Sequence, residues 1–375
     1  MGGEPSDGIF LAKPDQPAEG IPLAVKDLFD TAGITTTYGS ILFADHLPAE
    51  TAEAVRRAEA AGYANVGKTN LHEFAYGITS ANPHFGTVPN PLAPGRIAGG
   101  SSGGSAAALA AGLAGAALGT DSGGSIRIPA ACCGVTGFKP SYGLVPLDGV
   151  FPLAPSFDHV GPMARDVAGC AALFEALADG FERRELSGLE DLEVGVAWLD
   201  LARPLVGARV REAAERFPRR RELDFPFPDA VHKAFMHEVA DVHRELFTEY
   251  ADSYGDNVRT KVEWCLAVTD TDYERALKAR DEYRERCEEA LGALDLVVTP
   301  TLLFVAPPYA DELDLREDAI RFTFPFNVLG WPALALPCGP AEDGLPASVQ
   351  LVGRDDALVL AAGGLLEASL KRGTP

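Results

Sequence analysis

Basic residues are scarce in this 375-residue sequence, which has 32 lysines and arginines against 54 aspartates and glutamates and a formal net charge of −22. Binding to nucleic-acid phosphates or to anionic lipids depends on clustered basic side chains, so the charge balance argues against both kinds of partner. Lysines number only 8. A lysine that adjoins apolar sequence is therefore a candidate for a special role.

Metal-binding patterns are also lacking. The six cysteines include no CxxC pair, and no histidine lies at zinc-ligand spacing from them. Cys132 and Cys133 are adjacent and cannot easily pair with each other. We expect reduced thiols that pack as small apolar side chains, and no metal site.

Long apolar runs and targeting signals are missing too. No uncharged run of about 18 bulky apolar residues occurs, because the stretch 105–119 consists mostly of alanine and glycine. The first residues, MGGEPSDGIFLAKPDQ, have neither the basic start nor the apolar segment of a secretory signal. These absences predict a cytoplasmic protein that does not associate with membranes.

What the sequence does contain is ample apolar material, 47% of all residues, in alternating helical and extended patterns. The apolar run 21–25 predicts a strand that ends at Lys26, residues 50–61 predict a helix, and residues 63–66 predict a second strand. Further helices are predicted over 105–113, 165–179 and 355–370, and further strands over 114–119, 193–198, 296–299, 333–337 and 348–352. The alternation predicts an α/β fold in which helices cover a sheet.

We interpret residues 1–375 as a single domain, because no internal repeat and no clear linker is visible. Residues 1–20 are polar and predict a loose lead-in. Residues 206–292 are expected to be mostly helical and carry most of the charge. The region from about 180 to 292 is therefore interpreted as a helical insertion that caps the core.

Two loops rich in glycine and serine carry the strongest chemical signal: GGSSGGS at 99–105 and TDSGGS at 120–125. A nucleophilic hydroxyl must be reached by a substrate carbonyl without side-chain crowding, and successive backbone N–H groups must converge on the oxyanion that forms. Glycine serves both needs. Tight turns or a phosphate cradle are the alternatives, but neither loop has the lysine of a phosphate-binding loop.

A nucleophilic serine also needs a base, and two hypotheses compete. The sequence GGSSG at 99–103 matches the G-x-S-x-G elbow of α/β-hydrolases, which would make an esterase-like enzyme with His159 as base. The preceding segment, PGRIA, does not resemble the strand that an elbow requires. Lys26 is the other base, because a neutral lysine can deprotonate serine when burial lowers its pKa. Asp27 would point to the opposite face of the strand and need not neutralise Lys26.

The stretch 99–140, GGSSGGSAAALAAGLAGAALGTDSGGSIRIPAACCGVTGFKP, resembles the signature of the amidase signature family, which includes fatty acid amide hydrolase, bacterial amidases and the glutaminase subunit of the tRNA-dependent amidotransferase. The segments IPLAVKDLF at 21–29, GKTNLHEF at 67–74, DHVGP at 158–162 and GLPASVQLVG at 344–353 are similar to other parts of that family. The resemblance covers about 20–165 and 293–353 and is poor over 180–290. It implies a central mixed, twisted β-sheet covered by helices on both sides.

The resemblance implies catalytic roles for three residues. Lys26 matches the base at the end of the family's lysine strand. Ser101 matches the relay serine, which follows a cis peptide bond, and Ser125 matches the nucleophile. The separation of 24 positions between the two serines is also the spacing of the family.

The resemblance further implies that the oxyanion is held by the backbone N–H groups of Ser122, Gly123, Gly124 and Ser125. Ser102 and Asp121 are expected to support the site through hydrogen bonds, and Arg127 to have a structural role. Four aromatic residues are candidates for lining an acyl pocket: Tyr76, Phe85, Phe151 and Phe157.

Together these roles imply an amidohydrolase that cleaves the carbon–nitrogen bond of a small-molecule amide through an acyl-enzyme on Ser125, without a metal or organic cofactor. The substrate would be its main partner, and a homodimer is the assembly left open. Two alternatives stand beside the elbow esterase. One is the glutaminase subunit of a tRNA-dependent amidotransferase, which would need partner subunits; the other is a non-catalytic protein that keeps the fold.

Overall fold

A computed structural model describes residues 8–16, 19–310 and 312–372 of the chain. Its strands are β1 (Phe10–Ala12), β2 (Ile21–Lys26), β3 (Tyr63–Thr69), β4 (Ala81–Asn82), β5 (Gly86–Thr87), β6 (Ala116–Thr120), β7 (Thr136–Lys139), β8 (Val160–Ala164), β9 (Glu193–Val196), β10 (Arg219–Glu222), β11 (Leu296–Pro300), β12 (Ala333–Pro340) and β13 (Pro346–Val352). Its α-helices are α1 (Glu53–Ala60), α2 (Gly103–Ala110), α3 (Arg127–Cys133), α4 (Val167–Leu177), α5 (Pro204–Ala214), α6 (His232–Tyr250), α7 (Asp256–Leu266), α8 (Asp270–Leu291), α9 (Glu312–Ile320), α10 (Phe324–Leu329) and α11 (Asp356–Arg372).

Eleven of the described strands form one mixed sheet, in the order β1-β3-β2-β6-β8-β7-β12-β13-β11-β9-β10, and β4 pairs with β5 in a separate hairpin. Strand β2 runs parallel to both of its neighbours, β3 and β6. Strand β9 is likewise parallel to β11 and β10, while the strands between β6 and β11 pair antiparallel. The α/β fold with a mixed sheet, predicted from the sequence, is confirmed.

Helices cover both faces of this sheet. Successive side chains of a strand point to opposite faces, and in β2 they enter different cores. Leu23 and Val25 pack into a core shared with α1 and α4, whereas Ala24 packs into a second core shared with α2. The second core is built largely from alanine, which lets the α2 backbone approach the strands closely. Cover on both faces is therefore confirmed as well.

Most of the predicted elements agree with the structure to within a few residues. The largest difference lies inside the predicted cap, where Arg219–Glu222 form β10 at the edge of the main sheet. All four of its side chains are exposed, so the segment has no apolar alternation to reveal a strand. A second difference lies in the predicted lead-in, where Phe10–Ala12 pair with β3. Residues 1–7 and 17–18 of that lead-in lie outside the described residues.

Three long helices, α6, α7 and α8, pack against one another in the middle region. Helix α8 begins at a capping box, in which the Thr269 hydroxyl accepts a hydrogen bond from the Asp272 N–H and the Asp272 carboxylate accepts one from the Thr269 N–H. Their buried side chains join a core that also contains Phe74, Phe157 and Phe324. The interpretation of this region as a cap on a single domain remains a prediction.

Among the residues that the structure describes, none of the helices combines the length and apolar character needed to cross a bilayer.

Candidate active site

Lys26 is the last residue of β2, and Thr120 is the last residue of β6, the parallel strand beside it. Both side chains reach the same end of the sheet. The Lys26 Nζ lies 2.7 Å from the Ser101 Oγ and 2.7 Å from the Thr120 Oγ1. The lysine is 0% exposed. Burial lowers its pKa to about 7, although the charges of Asp121 and Asp158 oppose the shift. A substantial fraction of this amine is therefore neutral near pH 7.

Asp27 takes no part in this cluster. Its side chain points to the other face of the sheet, as predicted, and lies 2.9 Å from the Nζ of Lys68. It also accepts hydrogen bonds from the N–H and the hydroxyl of Thr37. No carboxylate of the described residues forms an ion pair with Lys26, so this buried amine has only hydroxyl partners.

Ser101 lies in the first glycine–serine loop, directly before α2. The peptide bond between Gly100 and Ser101 is cis, as the family resemblance implies. The Ser80 hydroxyl holds the loop by donating to the carbonyls of Gly99 and Ser101. Glycine is required at 104, because a Cβ there would lie 2.3 Å from the carbonyl oxygen of Asn70. The loop therefore packs tightly enough to hold the Ser101 hydroxyl against Lys26.

The second loop is fixed by a buried ion pair. The Arg127 guanidinium donates to both carboxylate oxygens of Asp121 at 2.8 and 3.0 Å, and both residues are 0% exposed. Arg127 also donates to Asn327 at 2.7 Å and to Gln350 at 2.8 Å. Burial alone would raise the pKa of Asp121, but Arg127 outweighs burial and holds that pKa well below its usual range. Helix α10 and strand β13 thus brace the loop that carries Ser125.

Two further contacts shape the residues just before Ser125. The Ser122 hydroxyl donates to the Asp158 carboxylate at 2.5 Å, and that carboxylate also accepts the N–H groups of Leu153 and Ala154. Gly124 has a φ of +137°, and a Cβ at this position would lie 2.3 Å from the Thr323 Oγ1. A larger residue at 124 would therefore distort the loop.

Ser125 is nearly buried, and its side chain faces a small cavity of about 30 Å³. Among the described residues, nothing accepts a hydrogen bond from the backbone N–H groups of Ser122, Gly123, Gly124 and Ser125, or contacts the Ser125 hydroxyl. The Ser102 N–H donates to the Ser125 carbonyl at 3.2 Å, so the two glycine–serine loops lie side by side. Four successive free N–H groups beside a free hydroxyl form a site suited to a carbonyl group that gains negative charge.

A second cavity, of about 180 Å³, lies on the other side of Ser122. Thr120, Ser122 and Asp158 contribute its polar wall, and Phe151 and Leu147 are among its apolar lining. Of the four aromatic residues predicted to line an acyl pocket, Tyr76 lines the Ser125 cavity and Phe151 lines this second one. Phe85 and Phe157 line neither.

The two residues expected to support the site act on the loops. Ser102 exchanges hydrogen bonds with the backbone of Thr120, at 3.2 Å to its carbonyl and 3.4 Å from its N–H. Asp121 holds the turn that follows it by accepting the Ile126 N–H and the Arg127 side chain. Neither side chain contacts the Lys26 amine.

His159, the base of the elbow hypothesis, is turned away from Ser101. Its Nδ1 lies 2.7 Å from the Phe157 carbonyl and 3.1 Å from the Asp121 carbonyl. Burial and the nearby Lys139 lower its pKa well below the usual range. No strand precedes Ser101 either, since residues 98–100 are irregular. The geometry therefore favours the lysine over the histidine as base.

Sequence reasoning missed three contributors. Thr120 is the second partner of Lys26, Asp158 holds Ser122, and Asn327 donates to both the carbonyl and the carboxylate of Asp121. Thr120 could have been found from its place at the end of a strand, beside the end of the lysine strand. Nothing in the sequence connects Asn327 with a loop some two hundred positions earlier.

Within the described part of the chain, no group of three or more histidine, cysteine, aspartate or glutamate residues is arranged to hold a metal ion. All six cysteines are free and buried.

Comparisons with known proteins agree with this geometry. A family model described as Amidase matches residues 7–188 and 229–360. The match includes most of the middle region, where the sequence motifs alone showed little similarity, and leaves out 189–228.

Individual relatives extend the likeness over nearly the whole chain. The first of the two subunits by letter of the glutamyl-tRNA(Gln) amidotransferase from Anaeromyxobacter dehalogenans (strain 2CP-C) is 36% identical over 410 residues, covering 94% of this chain and 83% of that protein. A crystal structure of an amidase shares 40% identity with a TM-score of 0.83, covering 93% of this chain and 84% of the other. The structure of 6-aminohexanoate cyclic dimer hydrolase complexed with substrate shares 25% identity with a TM-score of 0.84, covering 98% and 90%. With a family model matched over most of its length and relatives well above 30% identity, this chain belongs to the amidase signature family.

Proposed function

We propose that this protein is an amidohydrolase that cleaves the carbon–nitrogen bond of a small-molecule amide through an acyl-enzyme on Ser125. The observation that carries the proposal is the Lys26 amine, which is buried without a carboxylate partner and lies 2.7 Å from the Ser101 hydroxyl. An amine with a pKa of about 7 can accept a proton near neutral pH, whereas an ordinary lysine cannot.

The first half of the reaction forms the acyl-enzyme. Lys26 accepts the proton of Ser101, and Ser101 accepts the proton of Ser125 as the Ser125 Oγ attacks the substrate carbonyl carbon. The free N–H groups of residues 122–125 bind the oxyanion; removing one such donor typically costs about 10²- to 10³-fold in rate. The same relay, run in reverse, then delivers a proton to the leaving nitrogen, which departs as ammonia or an amine.

The second half hydrolyses the acyl-enzyme. A water molecule gives its proton to Ser101 and its oxygen to the acyl carbon, and the bond from that carbon to the Ser125 Oγ breaks. Lys26 and Ser101 return to their starting protonation states. The residues of this chain therefore provide nucleophile, relay, base and oxyanion donors, and every proton taken up in one step is released in another.

The test is hydrolysis of short aliphatic amides and arylacetamides, followed by ammonia release, in the wild type and in Ser125→Ala. We expect turnover by the wild type and a loss of at least about 10³-fold in Ser125→Ala. Hydroxylamine added to the reaction should yield the hydroxamate of the acyl group, because it competes with water for the acyl-enzyme.

Ser122→Ala is the matched control, because the proposal uses only the backbone N–H of Ser122. Its activity should stay within about tenfold of the wild type. Full activity in Ser125→Ala would contradict the proposal, and so would a larger loss in Ser122→Ala than in Ser125→Ala.

A second candidate function is the glutaminase subunit of a tRNA-dependent amidotransferase. It is favoured by the identity of 36% to a relative that carries the name of an amidotransferase subunit. The isolated chain distinguishes the two functions. A stand-alone amidase turns over free amides without partners, whereas a glutaminase subunit would release ammonia from glutamine only after its partner subunits have been supplied.

A further inference from the structure

Helix α9 contributes a cation to the cavity in front of Ser125. Two of its residues, Arg316 and Ile320, line this cavity together with Ser122, Gly123 and Ser125. The remaining lining is mostly apolar, with Phe235 and Phe324 among the larger side chains. A guanidinium group at the wall of a largely apolar cavity beside the nucleophile requires an explanation, because the desolvation of a charge is costly.

The neighbours of Arg316 do not neutralise it. Its Nη2 lies 3.0 Å from the Nε2 of His232, and its guanidinium carbon lies 5.7 Å from the centre of the Tyr76 ring. Burial and the charge of Arg316 lower the pKa of His232 to about 3, so this histidine is a neutral acceptor. No aspartate or glutamate among the described residues lies within ion-pair distance of Arg316, although acidic residues far outnumber basic ones in the whole chain.

A nearby cation shows the contrast. Lys261 is also buried in this part of the molecule, but its Nζ lies 2.9 Å from the Glu312 carboxylate at the start of the same helix α9. The helix therefore supplies an anion to Lys261 and a cation to the cavity. The positive charge that remains unpaired is the one that lines the same cavity as the Ser125 hydroxyl.

We propose that Arg316 binds a carboxylate on the acyl part of the substrate, so that the preferred substrates are short monoamides of dicarboxylic acids. This inference rests on the proposed function and names the substrate class of the same site. The planar guanidinium can donate two parallel hydrogen bonds to a carboxylate, which fixes both the position and the orientation of the acyl group. The cavity of about 30 Å³ has room for only a few atoms, so the chain between amide and carboxylate is short.

Succinamate is a suitable probe. Its hydrolysis breaks the bond from the amide carbon to nitrogen and forms a bond from that carbon to a water oxygen, and it yields succinate and ammonia. In 4-methylpentanamide an isopropyl group replaces the carboxylate with nearly the same shape, so the pair differs mainly in charge. We expect the wild type to prefer succinamate over 4-methylpentanamide by about 100-fold in kcat/KM.

Three variants test the role of the guanidinium. Arg316→Met should lower kcat/KM for succinamate by about 100-fold and leave that for 4-methylpentanamide within about threefold. Arg316→Lys keeps the charge and should keep part of the preference. Arg321→Met is the matched control, because Arg321 is exposed, stacks on Phe227 and does not line the cavity; its preference should equal that of the wild type.

Calorimetric binding to Ser125→Ala separates this inference from the proposed function. Succinamate should bind to Ser125→Ala more tightly than 4-methylpentanamide, and the preference should be absent when Arg316→Met is added. A binding preference without turnover in the wild type would keep the carboxylate site and overturn the amidase. Equal binding of both amides, or a preference that survives in Arg316→Met, would overturn the carboxylate site whether or not the wild type is active.

Discussion

Lys26 and Lys68 are two buried lysines on neighbouring parallel strands, and both are 0% exposed. Burial lowers the pKa of each. They differ in their partners. Lys68 lies 2.9 Å from the Asp27 carboxylate and also donates to the Phe29 carbonyl and the Thr36 hydroxyl, each at 2.6 Å. Lys26 contacts only two hydroxyl groups.

The comparison shows that burial by itself does not make a base. A buried lysine beside a carboxylate gains an attraction that opposes the loss of hydration, so its proton is held and the pair acts as a structural tie. A buried lysine with only hydroxyl partners lacks that attraction and gives up its proton more easily. The alternation of side chains along β2 separates the two environments, because it turns Asp27 away from Lys26 and towards Lys68.

The largest expected effect comes from Lys26→Met, which removes the base and keeps much of the volume. We expect kcat/KM to fall by at least about 10³-fold, because Ser101 then has no proton acceptor. Thermal stability should change little, since the substitution removes an unpaired buried amine and strands only two hydroxyl groups. Amide hydrolysis and thermal unfolding, measured on the same preparation, check both parts. A variant that unfolds but keeps its activity per folded molecule would break the comparison.

Lys68→Met should have the opposite pattern. Removing one partner of a buried ion pair leaves the other charge uncompensated, which typically costs about 3–5 kcal/mol of the free energy of unfolding. Activity of the folded fraction should remain close to that of the wild type, because Lys68 contacts neither glycine–serine loop. Denaturant unfolding monitored by circular dichroism gives the free energy.

The double variant Lys68→Met with Asp27→Asn is the control for this loss. The asparagine can still accept hydrogen bonds from Thr37 but carries no charge, so much of the lost stability should return. A double variant as unstable as Lys68→Met alone would mean that packing, and not the unpaired carboxylate, caused the loss.

How much of this contrast the sequence predicts depends on how local the contacts are. The end of the lysine strand and the outward turn of Asp27 follow from the alternation of β2, and the two loops follow from their glycines and serines. The pairing of Asp27 with Lys68 depends on the register between β2 and β3, which single-sequence patterns do not contain. The sequence around Lys68 and Asn70 suggests anchors of a helix start, but Lys68 lies in β3 and Asn70 ties two loops together.

The same limit explains the rest of the molecule. The structural role expected of Arg127 is confirmed by its contacts, but its partners Asn327 and Gln350 come from α10 and β13 at the far end of the chain. Strand β10 has no apolar alternation, so pairing with β9 and not its own composition makes it a strand. Local patterns predict the elements and the reactive loops, while the residues that brace them depend on the tertiary fold.

The smallest effect concerns how Lys26 is tuned, and the wild-type pH profile provides its baseline. The reactive form is the neutral amine, so kcat/KM should fall tenfold for each pH unit below the pKa of about 7 and level off above it. Lys68 should leave no trace in this profile, because its proton is not transferred in the reaction.

Thr120→Val then tests the hydroxyl that distinguishes the Lys26 site. A hydroxyl that accepts a hydrogen bond from Nζ favours the ammonium over the amine, so its loss should move the acidic limb to lower pH by up to about one unit. The plateau of kcat/KM should fall about tenfold, because Nζ loses one of the two contacts that aim it at Ser101. Thr120→Ser restores the hydroxyl and should restore both values. Thr36→Val removes the corresponding hydroxyl beside Lys68 and should leave the profile unchanged. If the limb shifts in Thr36→Val, or stays fixed in Thr120→Val, the titrating group is not Lys26, and the contrast between the two lysines is not the basis of catalysis.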